Sequence, residues 1–264
     1  MSHHITLDKI IDPFVPPSQV NKFPKWISRW IGGERRPVFD QTPDYILWID
    51  IFIGSFASIL TIEGVFMTAE SFKIHNTPII VASYGATAIL AFNAINAPFS
   101  QPRNIFIGHV LASILGVCIC KLFELSVEGR NHFYVGGAIA VGLSSVVMFL
   151  TNTIHPPAGA TALIAVIDED FRALGWFYIV VHIVSSLLVI GVALLTNNVF
   201  RKYPAYWWTP YQQPVAKDEE SIAEDIPHTV SITGLHMNIP KALILDSFEL
   251  EALESIQSKL DHLI

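Results

Sequence analysis

The chain has two cysteines in 264 residues, 15% charged residues and no basic stripe. Each shortage excludes something. Cys118 and Cys120 both fall in the apolar run 110–122, so there is neither a disulfide framework nor a Cys/His zinc spacing, and both read as small core hydrophobes. Soluble domains carry roughly 25% charge, so 15% charge with a mean hydropathy of +0.47 places the chain among membrane proteins. The net charge of −7 is weighted toward the segment after Gln213, which excludes nucleic acid as a partner. There is no Walker loop, nucleophile elbow or metal-ligand cluster, so neither an enzyme activity nor a cofactor is expected. The first thirty residues lack the apolar core of a secretory signal, and Asp8 and Asp12 argue against a transit peptide. The first spanning helix is therefore expected to act as an uncleaved anchor.

What the chain has is long apolar runs. Crossing a hydrocarbon core of ~30 Å takes about 20 mostly apolar residues, and 45–67, 78–97, 104–123, 133–150 and 175–199 suit that length. The run 156–167 is too short for one straight helix unless 151–155 adds non-helical backbone, and it counts as a sixth, broken span. The expected fold is an all-α membrane protein of about six transmembrane helices. It divides into a cytosolic arm at 1–44 with an interfacial helix, a transmembrane domain at 45–200 and a cytosolic tail at 201–264. The arm helix rests on the apolar stripe Phe23, Trp26, Ile27, Trp30 and Ile31. Tyr203, Tyr206, Trp207, Trp208 and Tyr211 read as an interfacial aromatic belt. In the tail, Asp246 to Glu249 has capping-box spacing before an amphipathic stretch, and 246–263 is either a docking surface for a cytosolic partner or a second subunit, or a simple amphipathic terminal helix.

Positive residues stay on the cytoplasmic side. With the N-terminus inside, that side receives Lys22, Lys25, Arg29, Arg35, Arg36, Arg103, Arg201 and Lys202, and the acidic loop Asp168-Glu169-Asp170 lies outside. Gly85-Ala86-Thr87-Ala88 echoes Gly159-Ala160-Thr161-Ala162 at an offset of 74 residues, and His109 matches His182 at an offset of 73. Spans one to three then correspond to four to six. An odd number of crossings per copy makes the copies oppositely oriented, an inverted 3+3 repeat with its site between them. Chance recurrence of small packing residues is the competing explanation.

The break itself reads Thr151-Asn152-Thr153-Ile154-His155-Pro156-Pro157-Ala158-Gly159-Ala160, and a second block reads Gln101-Pro102-Arg103-Asn104 followed by Gly108-His109. Together they resemble the HPP family of integral membrane proteins over about 42–200. Members in cyanobacteria and plastids are associated with nitrite transport, so the resemblance implies a transporter or channel for a small inorganic anion, nitrite being the favoured one. The CBS-domain tail of some bacterial members is absent from this sequence, and regulation by an adenosyl ligand is not expected. The alternative function is a membrane-embedded scaffold or sensor acting through the tail.

Gly85, Ala86 and Thr87, and Gly159, Ala160 and Thr161, each stand where a helix can start at membrane depth. Free N–H groups at two such starts would cradle an anion, and tight packing of small residues is the bland alternative. His155, forced toward extended backbone by Pro156, is either a ligand to the anion or a lock bonded to a carbonyl. His109 and His182 either bond across helices or carry protons, and Glu63 is the better intramembrane carboxylate for proton coupling, because Asp50 lies near the interface and is solvated there. Arg103 either draws anions into an inner vestibule or anchors its loop.

Cysteine labelling tests the topology. Glu169→Cys and a cysteine in the tail should label from opposite sides of the membrane, and labelling from one side would remove the six-crossing arrangement.

Overall fold

The computed structural model describes residues 6–15, 19–33, 42–208, 231–232, 237–238, 253 and 256. The chain divides into two compact units, Met1–Gln212 and Gln213–Ile264. In the second unit a strand pair not foreseen from the sequence, β1 (Ser231–Ile232) and β2 (Met237–Asn238), is antiparallel, and Leu253 and Ile256 are helical. The predicted capping box at Asp246, most of the amphipathic stretch and Tyr211 lie outside the described residues.

The first unit is helical. It begins with α1 (Asp8–Ile11) and α2 (Lys25–Trp30), followed by α3 (Asp44–Thr68), α4 (Glu70–Ile74), α5 (Ser83–Asn93) and α6 (Pro102–Glu124). Then come α7 (Val127–Asn131), α8 (Phe133–Leu150), α9 (Pro157–Ile167), α10 (Glu169–Ala173) and α11 (Phe177–Phe200). Among the described residues α3, α6, α8 and α11 are long and apolar enough to cross a membrane. α5 and α9 have 11 residues each, a rise of about 16 Å, or half a hydrocarbon core. The run 78–97, predicted as a span with a helix start at 85–87, is thus helical only at 83–93. Polar Ser83, Tyr84 and Thr87 turn inward there, and a ring or hydroxyl bonded to another helix can hold a short helix that length alone would not.

Both half-length helices follow the same device. Asn76 and Asn152 adopt left-handed backbone, with φ of 50° and 52°. Each is followed by a threonine whose N–H reaches back five residues, Thr77 to the Phe72 carbonyl at 3.0 Å and Thr153 to the Met148 carbonyl at 2.9 Å. This is a Schellman stop, after which the chain runs extended into α5 or α9. Pro157 occupies the first turn of α9, where its missing N–H costs nothing.

α6 and α11 pack on each other. α6 also packs on α8 and α9, and α11 on α3 and α5. Small side chains let the helices close up: Ala112, Ala158 and Ala162 are fully buried. The surface is inverted relative to a soluble protein, with Trp48, Phe52, Phe56 and Ile89 more than half exposed while Ser58, Gln101, Asn197 and three histidines are buried. Cys120 is buried, but Cys118 faces outward, against its reading as a core residue.

Charge is also taken inside. Asp50 is not solvated as the sequence suggests: it is 5% exposed and accepts from Arg201 Nη2 at 2.9 Å and Nε at 3.2 Å. Residues 201–208 do not run outward as a belt. Tyr203 is fully buried, donating to the Ser100 carbonyl at 2.7 Å, and the Ala205 N–H donates to Gln101 Oε1 at 2.9 Å. α2 is shorter than its predicted stripe. It leaves Trp26 exposed and docks on α11, where Asn198 Nδ2 donates to the Trp30 carbonyl at 3.1 Å.

The α6–α9 contact sets a prediction. A Cβ on Gly116 would lie 2.7 Å from the Ala165 Cβ and 2.9 Å from the Ala162 carbonyl oxygen, whereas one on Gly85 or Gly159 would meet nothing within 4 Å. Gly116→Val should destabilise the detergent-solubilised protein by about 1–3 kcal/mol through overpacking. Gly85→Ala and Gly159→Ala should leave thermal unfolding near that of the parent. Equal effects at all three positions would contradict this packing.

Candidate functional site

The first turns of α5 and α9 meet at the bundle centre and run antiparallel, because Ser83 pairs with Thr161 while Thr87, one turn on, pairs with His155, which precedes α9. His109, from α6, lies between them. Its Nε2 is 2.8 Å from Thr87 Oγ1 and its Nδ1 is 2.8 Å from Thr161 Oγ1. Thr87, His109, His155, Thr161 and His182 are all fully buried. Gly108 makes this possible: His155 Cβ would sit 2.8 Å from any Cβ at that position.

The directions of these bonds follow from one carbonyl. The Phe99 oxygen only accepts, so His155 Nδ1 carries the proton donated to it at 2.7 Å. In the neutral ring Nε2 then accepts from the Thr87 hydroxyl at 3.0 Å. Having given its single proton, Thr87 accepts from His109 Nε2–H. His109 Nδ1 is left to accept from the Thr161 hydroxyl, whose oxygen also lies 3.1 Å from Ser83 Oγ. The result is one file of bonds, from Thr161 through His109, Thr87 and His155 to Phe99, all pointing the same way. If His155 gains a second proton, Thr87 has another acceptor in the Ser83 carbonyl at 3.1 Å.

His182, from α11, stands beside this file. The Tyr84 ring stacks at 4.4 Å on His109 and 5.5 Å on His182, and its hydroxyl reaches His182 Nδ1 at 3.1 Å and Ser186 Oγ at 2.8 Å. Tyr178 meets His182 edge-on at 4.4 Å and donates to the Thr161 carbonyl at 2.8 Å. His182 Nε2 and Ser185 Oγ are buried without a hydrogen-bond partner among the described residues.

The other predicted residues fall around this centre. The N–H groups of Tyr84 and Gly85 donate to the carbonyls of Val81 and Ala82, and those of Ala158 and Gly159 donate to His155 and Pro156. These N–H groups are therefore occupied, and the threonine hydroxyls are what the two helix starts present. Ala86 and Ala160 face outward and Gly159 is half-buried. Gly85 lines a cavity of about 230 Å³ with Glu63, Ile59, Ile62, Val81 and Tyr84, so Glu63 is apart from the histidines but shares Tyr84 with them. Arg103 is not an open vestibule charge. It is 6% exposed and bonded to Asp8. Nearby Tyr206 has its phenol pushed up by burial, with the Arg103 guanidinium drawing it back down.

Sequence reasoning missed Asp8, Ser83, Tyr84, Tyr178 and the Phe99 carbonyl. Ser83-Tyr84 lies directly ahead of the repeated Gly-Ala-Thr, a usable signal. Asp8, 95 positions from Arg103, gave none.

An apolar outer surface around a hydrogen-bonded polar interior is the build of an integral membrane protein. The chain belongs to the HPP transmembrane-region family, whose model matches residues 40–204. It is similar to two transmembrane proteins of Dictyostelium discoideum. One is 35% identical over 190 residues, 70% of this chain and 58% of the relative, and the other is 34% identical over 193 residues, 72% and 64% of the two chains. The match thus spans less than two thirds of either relative. No solved structure matches the chain.

The bond directions are testable by 15N magnetic resonance on histidine-labelled protein in lipid. At neutral pH, His155 should carry its proton on Nδ1 and His109 on Nε2. The opposite tautomer on either ring would break the file.

Proposed function

We propose that the protein is a transporter for a small inorganic anion, with nitrite favoured by the family resemblance, and that the solute passes where α5 and α9 cross. One observation carries the reading: two half-length helices join at the centre through His109, beside His182 Nε2 and Ser185 Oγ, which have no hydrogen-bond partner among the described residues. A buried polar atom without a partner costs about 1–3 kcal/mol, and that cost is relieved when a solute with oxygen atoms passes. Hydroxyls and imidazoles supply neutral donors. They hold an anion loosely enough to release it, as a fixed buried cation would not.

The inverted repeat accounts for the arrangement. α3, α5 and α6 have 25, 11 and 23 residues, and α8, α9 and α11 have 18, 11 and 24. The half-length helix of each copy follows a left-handed asparagine and a threonine, and the third helix of each supplies a histidine that stacks on Tyr84. Each first helix also packs on the third helix of the other copy. With each half-length helix completed by extended chain, six crossings result and both termini lie in the cytosol.

The closed centre favours a carrier over a channel. Moving an anion through a low-dielectric interior is costly, and a proton taken up on the histidine file lowers that cost. Glu63, in its cavity beside Tyr84, is placed to exchange protons with one side.

Proteoliposomes test the reading. An inward proton gradient should drive nitrite uptake above that of protein-free vesicles. His109→Ala removes two hydrogen bonds of about 1 kcal/mol each and should lower uptake by roughly tenfold or more. Nitrite flux no greater than in empty vesicles would overturn the proposal.

A further inference from the structure

At the end of the bundle where α6 begins and α8 stops, Arg103 sits in a built polar site. Its Nη2 donates to Asp8 Oδ1 at 2.5 Å and to the Thr151 carbonyl at 2.8 Å, and its Nη1 donates to the Trp208 carbonyl at 3.1 Å. The Trp208 ring covers the guanidinium at 4.3 Å. The second Asp8 oxygen accepts from Asn152 Nδ2 at 2.5 Å. Two further N–H groups of the site, Arg103 Nε and Trp208 Nε1, are buried with no acceptor among the described residues.

The partners differ in how firmly they are held. Arg103 lies in the first turn of a 23-residue helix, and Asn152 is fixed by the left-handed turn that ends α8. Asp8 instead belongs to a four-residue helix on the N-terminal arm, attached nearby by the Leu7 N–H to the Leu150 carbonyl at 2.8 Å. Donors fixed on the bundle thus surround a carboxylate brought by a short arm. A buried guanidinium requires an anion, and planar two-oxygen anions match its geometry. A carboxylate is planar, singly charged and two-oxygened, and so are nitrite and formate.

We infer that Arg103 and Asn152 form a binding site for a planar monovalent oxyanion, and that Asp8 is its tethered occupant, competing with the free anion. The inference deepens the transport reading by giving the solute a holding point next to the segment that leads from Asn152 through Thr153 to His155. It also makes the arm a brake, released when free anion displaces Asp8.

Chemical rescue on the purified full chain in detergent tests it without any flux. Asp8→Ala should lower Tm. Sodium nitrite or sodium formate should raise it again in a saturable way, growing with the logarithm of concentration above the apparent Kd, and chloride at equal ionic strength should do less. The parent protein should shift less than Asp8→Ala at each nitrite concentration. Adding Arg103→Gln to Asp8→Ala should abolish the rescue. If Asp8→Ala does not fold, Asp8→Asn, which keeps the side-chain size, takes its place in the same titration. No rescue, equal rescue by chloride, or rescue that survives Arg103→Gln would reduce Asp8 to an anchor. Failed rescue removes this site and leaves transport through the centre standing. Intact rescue without nitrite flux removes the transport reading alone.

Discussion

His109 spans the gap between two interrupted helices, with one ring nitrogen on Thr87 and the other on Thr161. α5 and α9, of 11 residues each, are flanked by extended chain, whose backbone groups lipid cannot satisfy. Such chain persists only if protein surrounds it and if the ends of the short helices are fixed. The imidazole fixes both ends with one side chain, because each of its nitrogens can face a different helix. His155 extends the tie to the Phe99 carbonyl, and Tyr84 and Tyr178 extend it to His182 on α11. The packing of α6 and α11 on each other, and of the short helices against them, is organised around this tie.

The charges serve a different purpose. Among the described residues two buried ion pairs, Asp8 with Arg103 and Asp50 with Arg201, join segments far apart in sequence. Arg201 Nη1 also donates to the Phe92 carbonyl at 2.6 Å, closing the end of α5, and Arg103 closes the stretch that leads into α9. Each arginine thus satisfies carbonyls that an interrupted helix leaves open, with a carboxylate neutralising the cation. The histidine centre holds no such fixed charge. On the transport proposal, the charged ends collect the anion and the neutral, hydrogen-bonded centre passes it while binding it weakly.

Much of this was legible in the sequence, and the remainder was hidden for identifiable reasons. The apolar runs gave the helical membrane fold, and His155-Pro156-Pro157 marked the start of α9, because prolines enforce a break whatever surrounds them. Within the run 78–97 the sequence marks a helix start at Gly85-Ala86-Thr87, and α5 starts two residues earlier, at Ser83, and ends at Asn93. The left-handed Asn76, an unremarkable residue in sequence, ends α4 ahead of it. Of the residues in the Gly-Ala-Thr echo, helical geometry turns Thr87 and Thr161 fully inward, leaves Gly159 half-buried and places Gly85 on a cavity wall beside Glu63. Asp50 read as solvated because burial of a charge depends on a partner that tertiary structure alone supplies.

The central claim is that Thr87 and Thr161 are coupled through His109, and a double-mutant cycle measures that directly. Thr87→Val and Thr161→Val are to be compared singly and together by reversible unfolding in mixed micelles, then again in a His109→Ala background. With His109 present, the account predicts a coupling energy of at least about 0.5 kcal/mol, because the two hydroxyls share one ring whose tautomer serves both. In the His109→Ala background the coupling should vanish. Effects that add within about 0.3 kcal/mol in the presence of His109 would contradict the claim that this imidazole holds the two helices together.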